Sequence, residues 1–324
     1  MTLDKSCDIN WMNERYSFLS KVKSATVRLT LSAAAVALLS GWAGLDVKPL
    51  QKSRSDLVPG QSGTYAQLSD DERKELVWMA KAAVAAYADG AKPLGYRSFT
   101  RDEWNACSEN CSELTYCEDG SFTVGSGLRG RLMVHMVNEG RVVLALCGVD
   151  DCNLDGGLAA ALDSKDLAAC MQHYTGRCTP DQYRQALNLM NGILRSRPRS
   201  NLWIVGHSLG GSLTTFLAIH LPECRTRIKC ATFNGYGLSP KLVVAKNARA
   251  NVEKRLVNVY AEGDPIYNWK LPCDVLLTVL DMKTPPIHLG PSYSLVLKGD
   301  VWSQHGVERL LEEMIAKRTK WAGL

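Results

Sequence analysis

The stretch Asn201-Leu-Trp-Ile-Val-Gly206-His207-Ser208-Leu209-Gly210-Gly211 decides how this chain is read. A short apolar, β-branched run enters a Gly-x-Ser-x-Gly turn, and the turn opens into the helical stretch Ser212 to Leu221. This is the pattern of a nucleophile elbow. The glycines at 206 and 210 are needed because side chains flanking so sharp a turn would collide, while the serine itself takes a strained backbone conformation. The strain leaves Ser208 Oγ standing clear. Because the helix begins at the serine, its first free N–H groups face the place where an oxyanion would form. Gly-x-Ser-x-Gly also arises by chance, and Ser208 would then be a turn or N-cap serine. The apolar strand before it and the small residues after it favour the elbow.

Outward from the elbow, helices alternate with apolar strands. Ser69-Asp70-Asp71-Glu72 carries the capping signature of a helix running to about Ala88, with Leu76, Val77, Met79, Ala80, Ala83, Val84 and Tyr87 on its apolar face. Arg131 to Val137 and Arg141 to Cys147 form a hairpin around Asn138-Glu139-Gly140, and the unbroken run Val142 to Leu146 reads as a central strand. Thr179-Pro180-Asp181-Gln182 opens a helix to about Arg195. Further strands are expected at Ile228 to Phe233, Leu256 to Tyr260 and Tyr293 to Leu297, and a last helix at Gly306 to Lys317. The alternation predicts an α/β domain with a mostly parallel sheet covered on both faces. Chemistry in such sheets gathers beyond the carboxyl ends of the strands.

A serine nucleophile needs a base, and the base needs an orienting acid. The loop after the strand at 256–260 reads Ala261-Glu262-Gly263-Asp264-Pro265, and Asp264, held before a proline, is suited to present its carboxylate; Glu262 is the fallback. Two histidines follow. His305 lies after the last strand and at the start of the last helix, which makes it the base, whereas His288 precedes that strand and is the alternative base or a structural residue bonded to backbone. His135 falls in the hairpin, His173 precedes the nucleophile, His207 belongs to the elbow and His220 ends its helix.

The 38 basic and 33 acidic residues of the 324 leave 38 − 33 = +5, spread without a dense Lys/Arg block, which gives no argument for nucleic acid. Residues 1–45 differ from the rest. Lys21, Lys23 and Arg28 precede an apolar run from Leu29 to Leu45, the arrangement of a signal peptide, cleaved after Ala43, or of an N-terminal membrane anchor; an ordinary amphipathic or core helix is the other reading. Residues 46–68 read as a flexible tether and 69–324 as one domain. An exported, periplasmic, membrane-associated or secreted protein is thus expected. Eleven cysteines agree with export and disulfides. Cys107, Cys111 and Cys117 have neither a nearby histidine nor a Cys-x-x-Cys pair, so zinc ranks behind disulfides, and reduced buried cysteines remain a third reading.

Several patches, in order, resemble the class 3 (fungal-type) lipase family of α/β-hydrolases: Val142 to Val149, Gly206 to Gly211, Val257 to Pro272 and His288 to Tyr293. The resemblance spans roughly Leu68 to Leu311. It implies the α/β-hydrolase fold, a Ser208-Asp264-His305 triad in the chain order Ser, acid, His, and an oxyanion hole from the N–H groups of Leu209 and Val149. It implies no metal and no organic cofactor, and as partner a lipid ester substrate at a membrane or micelle surface. Two residues depart from the family's pattern: Cys147 stands for an arginine, and Val149 for a small hydroxyl residue, so a backbone donor survives there and a hydroxyl does not. In the family the segment after the oxyanion strand often forms a lid, and Leu154 to Leu162 occupies that place. An esterase or thioesterase on soluble acyl substrates, and a degenerate hydrolase fold that only binds lipid or protein, are the competing readings; a serine protease fits less well.

Overall fold

The computed structural model describes residues 62–87, 92–108, 114–117, 119–124, 127–137, 140–148, 181–221, 227–238, 242–243, 252–264, 267, 287–299 and 303–319. The apolar run at 29–45, Val149, the lid segment 154–162, His173 and Thr179-Pro180 lie outside them. So do Cys111, Cys152, Cys170, Cys178 and Cys224, on which the disulfide expectation chiefly rests.

A 10-stranded sheet runs through the domain in the order β1-β10-β9-β8-β7-β6-β5-β4-β3, with β2 also on β5. Its strands are β1 (Ser62–Thr64), β2 (Tyr96–Ser98), β3 (Leu114–Tyr116), β4 (Ser121–Val124), β5 (Arg129–His135), β6 (Arg141–Leu146), β7 (Asn201–His207), β8 (Ile228–Phe233), β9 (Leu256–Ala261) and β10 (Ser292–Leu295). From β1 through β10, β9, β8 and β7 to β6 every pairing is parallel. Beyond β6 the sheet turns antiparallel, starting with the expected hairpin of β5 and β6. The arrangement is an α/β-hydrolase fold.

Strand periodicity explains how one run of sequence feeds two cores. Val142, Leu144 and Leu146 point to one face of β6, Val143 and Ala145, with Cys147 beyond its end, to the other, and none of the six meets water appreciably. The first face packs on helices α3 (Asp181–Ser196) and α4 (Leu209–His220) through Tyr183, Met190, Leu213 and Leu217. The second packs on α1 (Asp70–Val84) and α5 (Val307–Thr319) through Leu76, Ala80, Leu310 and Met314. A strand buried on both faces has no polar side to show, which is why these runs are unbroken in sequence. The short helix α2 (Arg101–Ser108) joins the α3 side through Trp104.

Helix α1 starts as its sequence dictates. Glu72 N–H donates to Ser69 Oγ at 3.4 Å and Ser69 N–H to Glu72 Oε2 at 2.8 Å, a reciprocal capping box. It ends at Val84 and not near Ala88, because the last turn tightens: Ala86 N–H reaches Ala83 O and Tyr87 N–H reaches Val84 O, three residues back. Residues 62–68, read from sequence as the end of the tether, are part of the domain. Ser62, Gly63 and Thr64 pair with Ser292, Tyr293 and Ser294, and buried Tyr65 donates its hydroxyl to Arg73 O at 3.2 Å. An edge strand draws its stability from backbone pairing, which its polar side chains do not announce.

Among the described residues no helix is long and apolar enough to cross a membrane, and no group of three or more His, Cys, Asp or Glu is placed to hold a metal ion. The thiols of Cys107 and Cys147 donate to main-chain carbonyls, Cys107 to Glu103 O at 3.1 Å and Cys147 to Ala86 O at 2.7 Å. Burial pushes the Cys230 thiol up to about 12.

Candidate active site

Strands β6 to β9 end together at one rim, and the residues that matter leave from there. Ser208 sits in the turn between β7 and α4 with φ 57 and ψ −122, a left-handed backbone that a non-glycine residue adopts only when its surroundings enforce it. The enforcement is steric. A Cβ on Gly206 would lie 2.1 Å from Gly210 O, and one on Gly210 would lie 2.2 Å from Leu146 O. The helix start is thus pressed against both its own strand and the next one. Gly148 closes the approach from β6, since a Cβ there would lie 2.8 Å from the Cβ of Ser208.

His305 lies in the turn just before α5, and Asp264 in the turn after β9, where its N–H donates to Ala261 O at 3.0 Å. The three side chains form one line. Ser208 Oγ is 3.0 Å from His305 Nε2, and His305 Nδ1 is 3.0 and 3.1 Å from the two carboxylate oxygens of Asp264. Asp264 is wholly buried, and Ser208 and His305 nearly so. A buried carboxylate accepts only, so Nδ1 carries the imidazole proton and Nε2 presents its lone pair to the serine hydroxyl. Such a line can take a proton from Ser208 as Oγ attacks an electrophile, and can hold the imidazolium that results. Leu209, the first expected oxyanion residue, opens α4. The second expected oxyanion residue, Val149, follows Gly148 and lies outside the described residues.

The alternatives sit elsewhere. His288 bonds through Nε2 to Tyr267 O at 3.3 Å and stacks on the Tyr267 ring with centroids 3.9 Å apart, so its ring is engaged as a structural residue and not at the serine. Glu262, the fallback acid, is exposed and accepts from Ser294 Oγ at 2.9 Å. His220 bonds Phe216 O within its own helix, and His135 packs edge-on against Tyr96.

Three residues that sequence reasoning did not assign to the site complete it. Tyr87 OH lies 2.6 Å from His207 Nδ1 and accepts from Gly148 N–H at 3.1 Å. His207 Nε2 lies 2.7 Å from His305 O. Asn234, just past β8 with φ 47, donates Nδ2–H to the carbonyls of Gln304 and His305, each at 2.9 Å, and accepts from Ala261 N–H at 2.9 Å. Signals existed for two of them: an asparagine before glycine at a strand end tolerates the left-handed region, and a tyrosine closing an apolar helical stripe needs a partner for its hydroxyl.

Burial, reinforced by the nearby His305, pulls His207 down to about 3, and burial pulls His288 down to about 4. Both are neutral when folded, while the unfolded chain protonates them near the ordinary value of 6.5. Their contribution is therefore complete above pH 6.5 and is lost as pH falls toward 4, at roughly 1.4 kcal/mol per pH unit for each group. Urea unfolding at pH 7.5 and pH 5 is expected to show a loss of about 4 kcal/mol, and His288→Gln should halve the slope. Stability that does not change across that interval would rule out the neutral burial of both.

The family described as the Tle-like phospholipase domain, of the phospholipase-like group, matches residues 78–300. A Mycosarcoma maydis protein named as a lipase, ATG15, is 27% identical over 175 residues, covering 44% of this chain and 34% of that protein. The chain thus spans about a third of the length of the curated relative it matches. Among solved structures, a mutant of MDLA from Penicillium cyclopium is similar at 16% identity over 72% of this chain and 83% of its own, with a TM-score of 0.43. Lip2 lipase from Yarrowia lipolytica is similar at 15% identity over 64% of this chain and 76% of its own, with a TM-score of 0.39.

Proposed function

The chain belongs to the family of Tle-like phospholipase domains, and from that premise we propose that it hydrolyses carboxylic esters of lipids, acylglycerol or phospholipid, through an acyl-enzyme. The observation that carries the reading is the unbroken line from Ser208 Oγ through His305 to Asp264, with contacts of 3.0 Å at each step.

In this reading Ser208 Oγ attacks the ester carbonyl carbon while its proton passes to His305 Nε2. Asp264 stabilises the imidazolium across Nδ1–H and holds the ring in the tautomer that can accept. The carbonyl oxygen, now an anion, would be met by the N–H of Leu209 and that of Val149. The tetrahedral species collapses as His305 returns its proton to the leaving alkoxide, which departs as an alcohol or a lysolipid. Water then enters and attacks the acyl carbon while giving a proton to Nε2; the second tetrahedral species collapses as His305 passes that proton to the departing Ser208 Oγ, releasing the fatty acid and the free serine. Every proton and leaving group is accounted for by the three side chains and water.

The test sets the full chain, solubilised in mild detergent, against p-nitrophenyl butyrate and against mixed phospholipid micelles, with Ser208→Ala as the control. Release of fatty acid from the phospholipid by the wild type and not by Ser208→Ala is the expected outcome. Cleavage of the soluble ester alone would redirect the reading to an esterase. Folded protein that cleaves neither would replace it with a binding role.

A further inference from the structure

We propose that Tyr87 and His207 are positioning residues, tying the end of β6 to the backbone of His305 so that oxyanion strand and base keep one spacing across the nucleophile. The inference rests on the hydrolase reading above. Its substance is a run of hydrogen bonds whose direction is fixed at both ends. Gly148 N–H can only donate, and it meets Tyr87 OH at 3.1 Å. His305 O can only accept, and it meets His207 Nε2 at 2.7 Å. The Nε2 atom must then carry the proton, which leaves Nδ1 as a lone pair, and the Tyr87 hydroxyl, 2.6 Å away, must donate to it. With the buried His207 imidazole neutral, no other arrangement of protons satisfies all three contacts.

The two termini of this run are not arbitrary. Gly148 is the residue before Val149, and its amide is engaged by Tyr87, so it is not itself available to an oxyanion. The chain leaves it for Val149 from an anchored peptide. At the other end, the His305 carbonyl receives a second donor, Asn234 Nδ2–H at 2.9 Å, so both of its lone pairs are held. The His207 and His305 rings lie with centroids 4.8 Å apart, and His207 directly precedes Ser208. The elbow histidine thus bonds to Tyr87 and to the His305 carbonyl while adjoining the serine in the chain. Its burial holds its titration well below the ordinary value, so the Nδ1 lone pair that the run needs is present at neutral pH. Misplacing a reacting group by about 1 Å can cost on the order of 100-fold in rate, and that is the scale on which these bonds act.

Three single variants of the full chain test the inference: Tyr87→Phe, His207→Asn and His207→Gln. With p-nitrophenyl butyrate, Tyr87→Phe and His207→Asn are expected to lower kcat by roughly 10- to 100-fold with KM within about twofold. His207→Gln, which sets an amide N–H close to where Nε2 stands, should recover part of that loss. The double variant Tyr87→Phe/His207→Asn should be no slower than the worse single, because both cut one run; independent effects would multiply. Losses that multiply, or a Tyr87→Phe protein within about twofold of wild type, would overturn the inference and leave the hydrolase reading standing. Wild-type protein that cleaves neither ester would overturn that reading, and the run is then judged by the low-field proton resonance of His305 Nδ1–H. Both singles are expected to displace it; an unmoved resonance refutes the tie.

Discussion

Replacing Ser208 by alanine is expected to lower kcat roughly 10⁴- to 10⁶-fold while the melting temperature moves by only a few degrees. The asymmetry follows from what the hydroxyl does. In the folded protein it makes one hydrogen bond, to His305 Nε2 at 3.0 Å, whose net contribution to stability is about 1 kcal/mol. In the proposed reaction it is the atom that forms the new bond, so its removal would delete the covalent path and leave only the proposed oxyanion donors and substrate binding. His305→Ala should fall as far, and the double variant no further, because nucleophile and base act as one unit. Asp264→Asn should cost about 10⁴-fold: the amide is nearly isosteric, but its N–H₂ favours the tautomer in which Nε2 carries the proton and no longer accepts from Ser208. The readings are initial rates, with circular dichroism to confirm the fold. A Ser208→Ala protein retaining a tenth of wild-type activity would remove Ser208 from the mechanism. Activity that survives His305→Ala and disappears in His288→Ala would move the base to a ring that is now stacked on Tyr267.

Why the triad was legible in sequence, and its support was not, comes down to range. Ser208 announces itself through eleven consecutive residues, because the elbow's strain is local and only glycine solves it at 206 and 210. Asp264 and His305 needed only the order of strands, and the parallel strands from β6 to β9 were visible because burial on both faces leaves no polar alternation. The short strands β2, β3 and β4 carry three or four residues each, half of them polar, and form by pairing on an existing edge, β2 and β4 on β5 and β3 on β4. The same holds for β1, whose Ser-Gly-Thr carries no strand signal. Tyr87 reads in sequence as one more apolar residue on α1. Its hydroxyl meets His207 across 120 positions of chain, a contact that no local pattern encodes. Asn234 likewise works on His305, 71 positions away.

Gly210→Ala is expected to destabilise the protein by more than about 3 kcal/mol, against the ordinary expectation that alanine gains about 1 kcal/mol over glycine in a helix. The reversal is set by distances. A Cβ at 210 would lie 2.2 Å from Leu146 O and 2.7 Å from Cys147 O, and both are main-chain atoms of a buried strand end that cannot swing aside. Helix and strand would have to separate by the better part of an ångström. Gly306→Ala is the matched control, since a Cβ there meets nothing nearer than Ser303 O at 3.7 Å, and its stability should stay within about 1 kcal/mol of wild type. The consequence for activity is separate from that for stability. Leu209 opens the helix at the same contact, and the carbonyls of Leu146 and Cys147 lead directly to Gly148, so Gly210 sets how closely the helix start, with the proposed oxyanion donor Leu209, approaches the end of β6. Gly210→Ala protein that remains folded at low temperature should therefore lose kcat by at least about 100-fold with KM little changed, the pattern of an interaction made only in the transition state. Urea titration of both variants and initial rates on p-nitrophenyl butyrate decide it. A Gly210→Ala protein as stable and as fast as Gly306→Ala would show that the helix start yields freely, and that the close approach of α4 to β6 does not fix the site.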